Sequence, residues 1–166
     1  MPSFEHIRHR PPTTLTTERP IVLVVSPLRS RVNLSRMVRL AGCAGILEII
    51  HAGPVRIDPE IARDAADIVR LTSRRSLPPV LDKLKGQGFE LIGLEQTTDS
   101  ESLYTYQFPH KTALVIGSER EGLADPVLKK LDATVEIPVY GQPASYNVVT
   151  ATTMAVYEYC RQFPSG

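Results

Sequence analysis

The chain has 166 residues, which suits one compact domain, and its 42% hydrophobic content is enough to build a core. The net charge of +1 excludes a global field that would by itself indicate a nucleic-acid partner, although a local basic patch can still bind one. No apolar run approaches the roughly 18 residues of a membrane span, and the N-terminus lacks the apolar segment of a signal peptide. We therefore predict a cytoplasmic protein without a membrane partner, in which Cys43 and Cys160 are buried free thiols.

The first 19 residues differ in composition from the rest of the chain. They are polar, rich in proline and threonine, and they include Arg8, Arg10 and Arg19. Such a composition predicts a flexible basic tail rather than part of a core. The folded domain is predicted at residues 20–166.

This domain begins with a predicted strand and an arginine-rich helix. The continuous apolar run PIVLVVS (20–26) is typical of a strand buried on both faces. A helix is predicted over residues 33–44, with Asn33 as its cap. The arginines in and before this helix are Arg29, Arg31, Arg36 and Arg39. Guanidinium groups match phosphate oxygens, so the cluster predicts a phosphate-binding surface, although a solvated basic helix face would look the same.

Strands and helices alternate through the rest of the chain. Strands are predicted at 46–50, 89–96, 112–117 and 133–139, and helices at 58–69, 78–88, 125–132 and 146–163. The alternation predicts an α/β fold, with a parallel sheet and helices on both of its faces. Ligands of such sheets bind at the carboxyl ends of the strands.

A glycine-rich turn, GSEREG (117–122), follows the strand at 112–117. Gly117 and Gly122 allow a tight turn. The turn is not a P-loop, because the Lys-Ser/Thr pair is missing, and two glycines do not make a dinucleotide fingerprint. Glu119 and Glu121 would repel a phosphate, so the turn favours a neutral or cationic ligand if it is not simply a solvated surface turn.

A third segment, EIPVYGQPASYNVV, joins the last predicted strand to the last helix. Ser145 and Asn147 stand where that helix begins, a place where small polar side chains meet free backbone N–H groups. No charged residue occurs from 148 to 157, which predicts a helix buried in a core or in a subunit interface. A capped, buried terminal helix without any site would explain the segment equally well.

In this order, the three segments resemble the SpoU (TrmH-like) branch of the SPOUT RNA methyltransferases, over roughly residues 20–163. The matching residues are Asn33 and Arg39 of the Asn-x-x-x-x-x-Arg motif, Gly117, Glu119 and Gly122 of Gly-Asn-Glu-x-x-Gly, and Ile137, Pro138, Gly141, Ser145, Asn147 and Val148 of the last motif. Ser118 replaces the usual Asn of the second motif, and Tyr146 replaces the usual Leu of the third. Residues 88–162 are especially similar to the catalytic domain of eukaryotic tRNA guanosine ribose methyltransferases, which methylate a D-loop guanosine.

The resemblance implies S-adenosylmethionine (AdoMet) as cofactor, a C-terminal trefoil knot (the SPOUT or alpha/beta knot fold), a homodimer and an RNA partner. Chain-topology rules alone predict no knot. The implied cofactor-binding residues are Leu94, Glu95, Gly117, Ser118, Ile137, Ser145 and Asn147. The implied catalytic residues are Arg39, Asn33, Glu119 and Asn147, and the predicted RNA-binding residues are Arg29, Arg31, Arg36 and Arg39. No metal is implied.

Arginine is a poor simple base because its pKa exceeds about 12. We therefore expect Arg39 to hold the neighbouring phosphate and so position the ribose 2′-OH. The same chemistry on ribosomal RNA or on the tRNA wobble ribose stays open, as does a non-catalytic RNA-binding knot protein. A nucleotide-dependent oxidoreductase is a further alternative, against which the missing Gly-x-Gly-x-x-Gly argues.

Overall fold

The computed structural model describes residues 1–8 and 10–166, which form strands and helices in alternation. The strands are β1 (Ile21–Val25), β2 (Glu48–Ala52), β3 (Arg70–Arg74), β4 (Glu90–Leu94), β5 (Glu101–Ser102), β6 (Thr112–Ile116) and β7 (Ala133–Glu136). The helices are α1 (Arg31–Ala44), α2 (Pro59–Ala62), α3 (Ala65–Ile68), α4 (Pro78–Gly86), α5 (Asp125–Leu128) and α6 (Val148–Gln162).

All seven strands form one sheet in the order β3-β2-β1-β6-β4-β7-β5. Every neighbouring pair is parallel, so the predicted parallel α/β sheet is confirmed. The central strands β1 and β6 are buried along their whole length, as their continuous apolar sequences predicted.

Two apolar layers cover the two faces of this sheet. On one face, Leu23 and Val25 of β1 pack in a cluster with Met37 of α1 and Tyr159 of α6. On the other face, alternate residues of β1 pack in a second cluster with Leu81 of α4 and with residues of α5. The helices therefore lie on both faces, as predicted, and the carboxyl ends of the central strands share one edge.

The middle of the chain differs from the prediction in two ways. The strand β3 was missed because it is an edge strand with a polar sequence and no buried residue. The continuous helix predicted at 58–69 is wrong, because the chain breaks between α2 and α3 at Arg63, which has φ 57°. The break lets α3 pack closely on α1, where a Cβ added to Gly42 would lie 2.5 Å from the Cβ of Ala65.

The first turn of α1 also differs from the prediction. Its cap is Ser30, whose Oγ accepts a hydrogen bond from the Asn33 N–H at 3.1 Å. The prediction that Asn33 is the cap is therefore wrong. Asn33 lies inside the first turn and its side chain is free to bind elsewhere.

The residues before β1 contact the other end of the chain. The backbone N–H groups of Thr16 and Thr17 donate to the carbonyl of Ser165, and the Arg19 guanidinium donates to the carbonyls of Ala44 and Phe163. None of the helices in the described residues is long and apolar enough to span a bilayer. Both cysteines are free, and Cys43 is exposed rather than buried.

Candidate functional site

A cavity of about 440 Å³ opens at the carboxyl ends of β4, β6 and β7. The segment that joins β7 to α6, together with the first turn of α6, forms its remaining wall. The structure brings all of the predicted cofactor-binding residues to this wall, namely Leu94, Glu95, Gly117, Ser118, Ile137, Ser145 and Asn147. The location is the one that parallel α/β sheets use for ligands.

The GSEREG turn needs its two glycines for different reasons: Gly117 faces a close backbone, whereas Gly122 has a positive φ and faces the Glu95 side chain. A Cβ on Gly117 would lie 2.6 Å from the carbonyl carbon of Gly122, with which the turn closes through a Ser118 N–H to Gly122 carbonyl hydrogen bond of 3.0 Å. Gly122 has φ +64°, and a Cβ there would lie 2.3 Å from Oε2 of Glu95. The glycines therefore shape the cavity wall.

Glu95 links the end of β4 to this turn. Its Oε2 accepts a hydrogen bond from the Leu123 N–H at 2.9 Å, and its Oε1 accepts one from the Gln96 N–H at 3.1 Å. These two contacts hold the carboxylate at the cavity wall in one orientation.

Glu119 connects the turn to the beginning of α1. Its carboxylate accepts hydrogen bonds from the backbone N–H groups of Arg29 and Ser30, each at 3.1 Å, and from the side-chain amide of Asn33 at 3.2 Å. Partial burial alone would raise the pKa of Glu119, but these hydrogen bonds outweigh it and lower the pKa below its ordinary value. Glu119 is therefore an anion at neutral pH, and Asn33 is oriented by it.

Acidic groups dominate the charge of the cavity wall. Three carboxylates line it, those of Glu95, Glu119 and Glu136, against the single guanidinium of Arg120. Apolar side chains, among them Leu94 and Ile137, line the rest. This combination suits a ligand that carries both a cationic group and an apolar or aromatic part.

Asn147 and Ser145 stand where α6 meets the cavity. Asn147 is the N-cap of α6, and its Oδ1 accepts a hydrogen bond from the Val149 N–H at 2.9 Å. Asn147 and Ser145 both line the cavity, and their side chains carry an amide and a hydroxyl group that can donate hydrogen bonds.

The predicted RNA-binding arginines are all exposed, but they do not share one environment. Arg31 forms an ion pair with Asp58 at 2.6 Å, whereas Arg29 contributes its backbone N–H to Glu119. Arg36 and Arg39 lie on the exposed face of α1. Arg39 is not among the described residues that line the cavity, and it lies about 9 Å further along the helix axis than Asn33.

Ser30 and Glu136 are among the residues in and around the site that the sequence analysis missed. Ser30 caps α1, and the signal was present, because a serine just before the first periodic residue is a typical N-cap. Glu136 lines the cavity as the last residue of β7, next to the predicted Ile137.

Comparisons with known proteins agree with this fold. A family model described as the SpoU rRNA Methylase family matches residues 20–157. The tRNA (guanosine(18)-2'-O)-methyltransferase TARBP1 of Mus musculus is 42% identical over 82 residues, which are 49% of this chain and 5% of that protein. The tRNA (guanosine(18)-2'-O)-methyltransferase of Saccharomyces cerevisiae is 31% identical over 160 residues, which are 89% of this chain and 11% of that protein.

A solved structure shows the same architecture. The SpoU methyltransferase AviRb from Streptomyces viridochromogenes, crystallised with AdoMet, matches with a TM-score of 0.78 and 25% identity, covering 91% of this chain and 63% of that one. The fold and the cavity thus define an α/β protein with a cavity at the carboxyl ends of a parallel sheet. The family match, which covers most of the chain, shows that it belongs to the SpoU methylase family, and the resemblance based on the three motifs is confirmed. The chain spans only a small fraction of the length of the two curated relatives.

Proposed function

We propose that the chain is an AdoMet-dependent RNA methyltransferase that methylates a ribose 2′-OH, and that its target is the D-loop guanosine of tRNA. The observation that carries this proposal is the acidic cavity at the carboxyl ends of β4, β6 and β7, with every predicted cofactor-binding residue on its wall. The target is supported by the names of the two relatives, both of which are guanosine(18) methyltransferases of tRNA.

The residues of the cavity fit AdoMet. Its sulfonium charge matches the excess of carboxylates, and its adenine matches the apolar side chains such as Leu94 and Ile137. When bound, AdoMet supplies a methyl group, whose bond to sulfur breaks as the 2′-oxygen bonds to carbon, leaving S-adenosylhomocysteine and a proton. Glu95, Gly117, Ser118, Ser145 and Asn147 would hold the cofactor.

The chain's own residues would act mainly by alignment. The anionic Glu119 holds Asn33 through its amide, and both lie beside the cavity wall where the ribose would enter. Asn147 would use its side-chain amide to orient the ribose or the cofactor. Placing the 2′-oxygen in line with a methyl carbon supplies much of the rate gain in such transfers.

Arg39 would hold the phosphate next to the reacting ribose. Its guanidinium is exposed and lies outside the cavity wall of its own chain, so the proposal is most consistent with a homodimer in which RNA contacts both copies. The uncharged sequence of α6 between residues 148 and 157 supports such an association.

Three further features belong to the same proposal. Residues 20–166 form the catalytic domain, and residues 1–19 are a basic extension. The C-terminal segments around the cavity form the trefoil knot of the SPOUT fold, which the similarity to the AdoMet-bound SpoU structure supports. The enzyme acts in the cytoplasm.

The test is methyl transfer from labelled AdoMet to unmodified tRNA transcripts, followed by mapping of the 2′-O-methyl group. Label at guanosine 18 is the expected result, and a transcript with 2′-deoxyguanosine at that position should accept none. Because the family is described as an rRNA methylase family, ribosomal RNA fragments are tested as a second substrate in the same assay. Label on ribosomal RNA alone would overturn the tRNA target and leave the reaction standing, whereas bound AdoMet without any transfer would overturn the reaction.

A further inference from the structure

A buried histidine stands behind the site without lining the cavity. His51, near the carboxyl end of β2, is 1% exposed. Its Nε2 accepts a hydrogen bond from the backbone N–H of Leu28 at 3.1 Å, and its Nδ1 lies 3.4 Å from the carbonyl oxygen of Gly53. Since Nε2 must be unprotonated to accept, the proton is on Nδ1 and faces the Gly53 carbonyl.

The Leu28 N–H belongs to the short segment 26–30 between β1 and α1. At one end of this segment, the Ser26 N–H donates to the carbonyl of Ile116 at 2.9 Å. At the other end, the N–H groups of Arg29 and Ser30 donate to the Glu119 carboxylate. His51 therefore fixes the middle of the segment, directly before the two N–H groups that bind Glu119.

The same segment sets the position of Asn33. Ser30 caps α1 through the Asn33 N–H, and the Asn33 amide donates to the same Glu119 oxygen that accepts from Ser30. A shift of the segment would thus move Glu119 and Asn33 together. An apolar side chain in place of His51 would fill the space, but it would leave the Leu28 N–H without its acceptor.

We propose that His51 is a positioning residue for methyl transfer: its neutral imidazole holds segment 26–30 so that Glu119 and Asn33 keep their place beside the cavity. The part of this inference that concerns the reaction rests on the proposed function. His51 touches neither the cavity wall nor the reacting atoms, and it acts through the backbone of Leu28.

Two substitutions of His51 distinguish the effect of its hydrogen bond from the effect of its volume. In His51→Gln, the side-chain carbonyl can take the place of Nε2 as acceptor for the Leu28 N–H, whereas His51→Leu offers no acceptor. We expect His51→Leu to lower kcat at least tenfold with the Kd for AdoMet within threefold of the wild-type value. His51→Gln should recover at least half of the wild-type kcat.

A matched control addresses loss of stability. Ile50 is the preceding residue of β2, is 6% exposed and packs on the opposite face of the sheet, away from segment 26–30. Ile50→Ala should therefore destabilise the fold but leave kcat within twofold, when it is assayed at a temperature at which all variants are folded.

Amide hydrogen exchange at Arg29 and Ser30 gives a readout that does not depend on activity. Exchange in the full-length protein should be at least tenfold faster in His51→Leu than in the wild type and in His51→Gln. If the wild type transfers methyl groups while His51→Leu keeps its kcat and its exchange rates, the inference is overturned and the proposed function stands. If the wild type transfers none, the proposed function fails, and unchanged exchange would then overturn the positioning role while faster exchange would support it.

Discussion

Charged groups behave differently at the two ends of the sheet. At the amino ends of the strands they neutralise one another: Glu48 at the start of β2 pairs with Arg70 at the start of β3, and Asp132 before β7 pairs with Lys85 after the middle of α4. At the carboxyl ends, Arg31 and Asp58 also form an ion pair, but Glu119 binds two backbone N–H groups and an amide instead of a cation.

This difference has a physical meaning. Exposed ion pairs are screened by solvent and contribute little free energy, so the amino-end pairs satisfy local charge without constraining function. A carboxylate held by backbone N–H groups keeps its charge and its orientation, and it does not occupy Arg36 or Arg39, which stay available for another partner. Arg36 and Arg39 form no ion pair among the described residues. We therefore expect the charged groups that take part in binding or catalysis to lie at the carboxyl ends of the strands and on α1.

The largest effect is expected from removal of the Arg39 side chain. Arg39→Ala should reduce methyl transfer by about 100-fold, because a phosphate-holding guanidinium is lost, and should leave the Kd for AdoMet within twofold. Lys85→Ala, which opens an amino-end pair, should leave both quantities unchanged. Retained turnover in Arg39→Ala, measured with saturating tRNA and AdoMet, would remove Arg39 from the mechanism.

A glycine at each end of the sheet provides the next test. Gly117→Ala forces a Cβ to within 2.6 Å of the Gly122 backbone, so we expect a loss of about 2–3 kcal/mol in the free energy of unfolding and at least a tenfold weaker Kd for AdoMet. Gly86→Ala at the end of α4 meets nothing within 4 Å and should be neutral or mildly stabilising. Urea denaturation and equilibrium binding measure both effects, and similar results for the two variants would contradict the close packing at Gly117.

Mildly acidic pH should first lower the stability through His51, which lies on the cavity side of the sheet. Burial lowers the pKa of His51 below its ordinary value of 6.5, although the Gly53 carbonyl and the charge of Glu119 oppose this. The unfolded chain then binds a proton below pH 6.5 that the native state does not, so stability falls as the pH drops from about 6.5. Between pH 7.5 and 5.5 the wild type should lose at most about 1.4 kcal/mol more than His51→Gln.

The pKa of Glu119 lies below 4.5, so its stabilisation is present above about pH 4.5 and is lost only as the pH falls further. Urea titrations at several pH values distinguish the pH range in which His51 affects stability from the lower range in which Glu119 does. Equal pH dependence of the wild type and His51→Gln above pH 5.5 would contradict a neutral, buried His51.

The smallest expected effect is on the salt dependence of RNA binding. Arg36→Gln should weaken tRNA binding a few-fold and reduce the slope of log K against log salt by about one, because one phosphate contact is lost. Lys85→Gln should not change the slope, since Lys85 is already paired with Asp132. An unchanged slope in Arg36→Gln would take the exposed face of α1 out of the RNA surface.

The sequence predicted those elements whose pattern is set by burial alone. The apolar runs of β1 and β6 identified central strands, because a strand covered on both faces has no polar side. The polar sequence of β3 gave no such signal, and the break at Arg63 depends on how α3 packs on α1 at Gly42, which local sequence does not show.

The site was predictable to a similar extent. The motif resemblance identified part of the cavity wall, including Leu94, Gly117 and Asn147. It could not reveal that Glu119 binds Arg29 and Ser30, which are 90 and 89 residues away, or that His51 holds Leu28. Such contacts depend on the sheet order, which places β6 beside β1, and that order is a property of the whole chain.

The pairing of β1 with β6 also has a consequence for folding kinetics. Val25 and Ile116 are register partners, so the centre of the sheet cannot close until a long intervening loop has been organised. The cavity wall also needs residues from Leu94 through Ala151. The cavity therefore cannot form until these segments have been synthesised and have folded together, so retention of a small molecule there would report that this step has taken place.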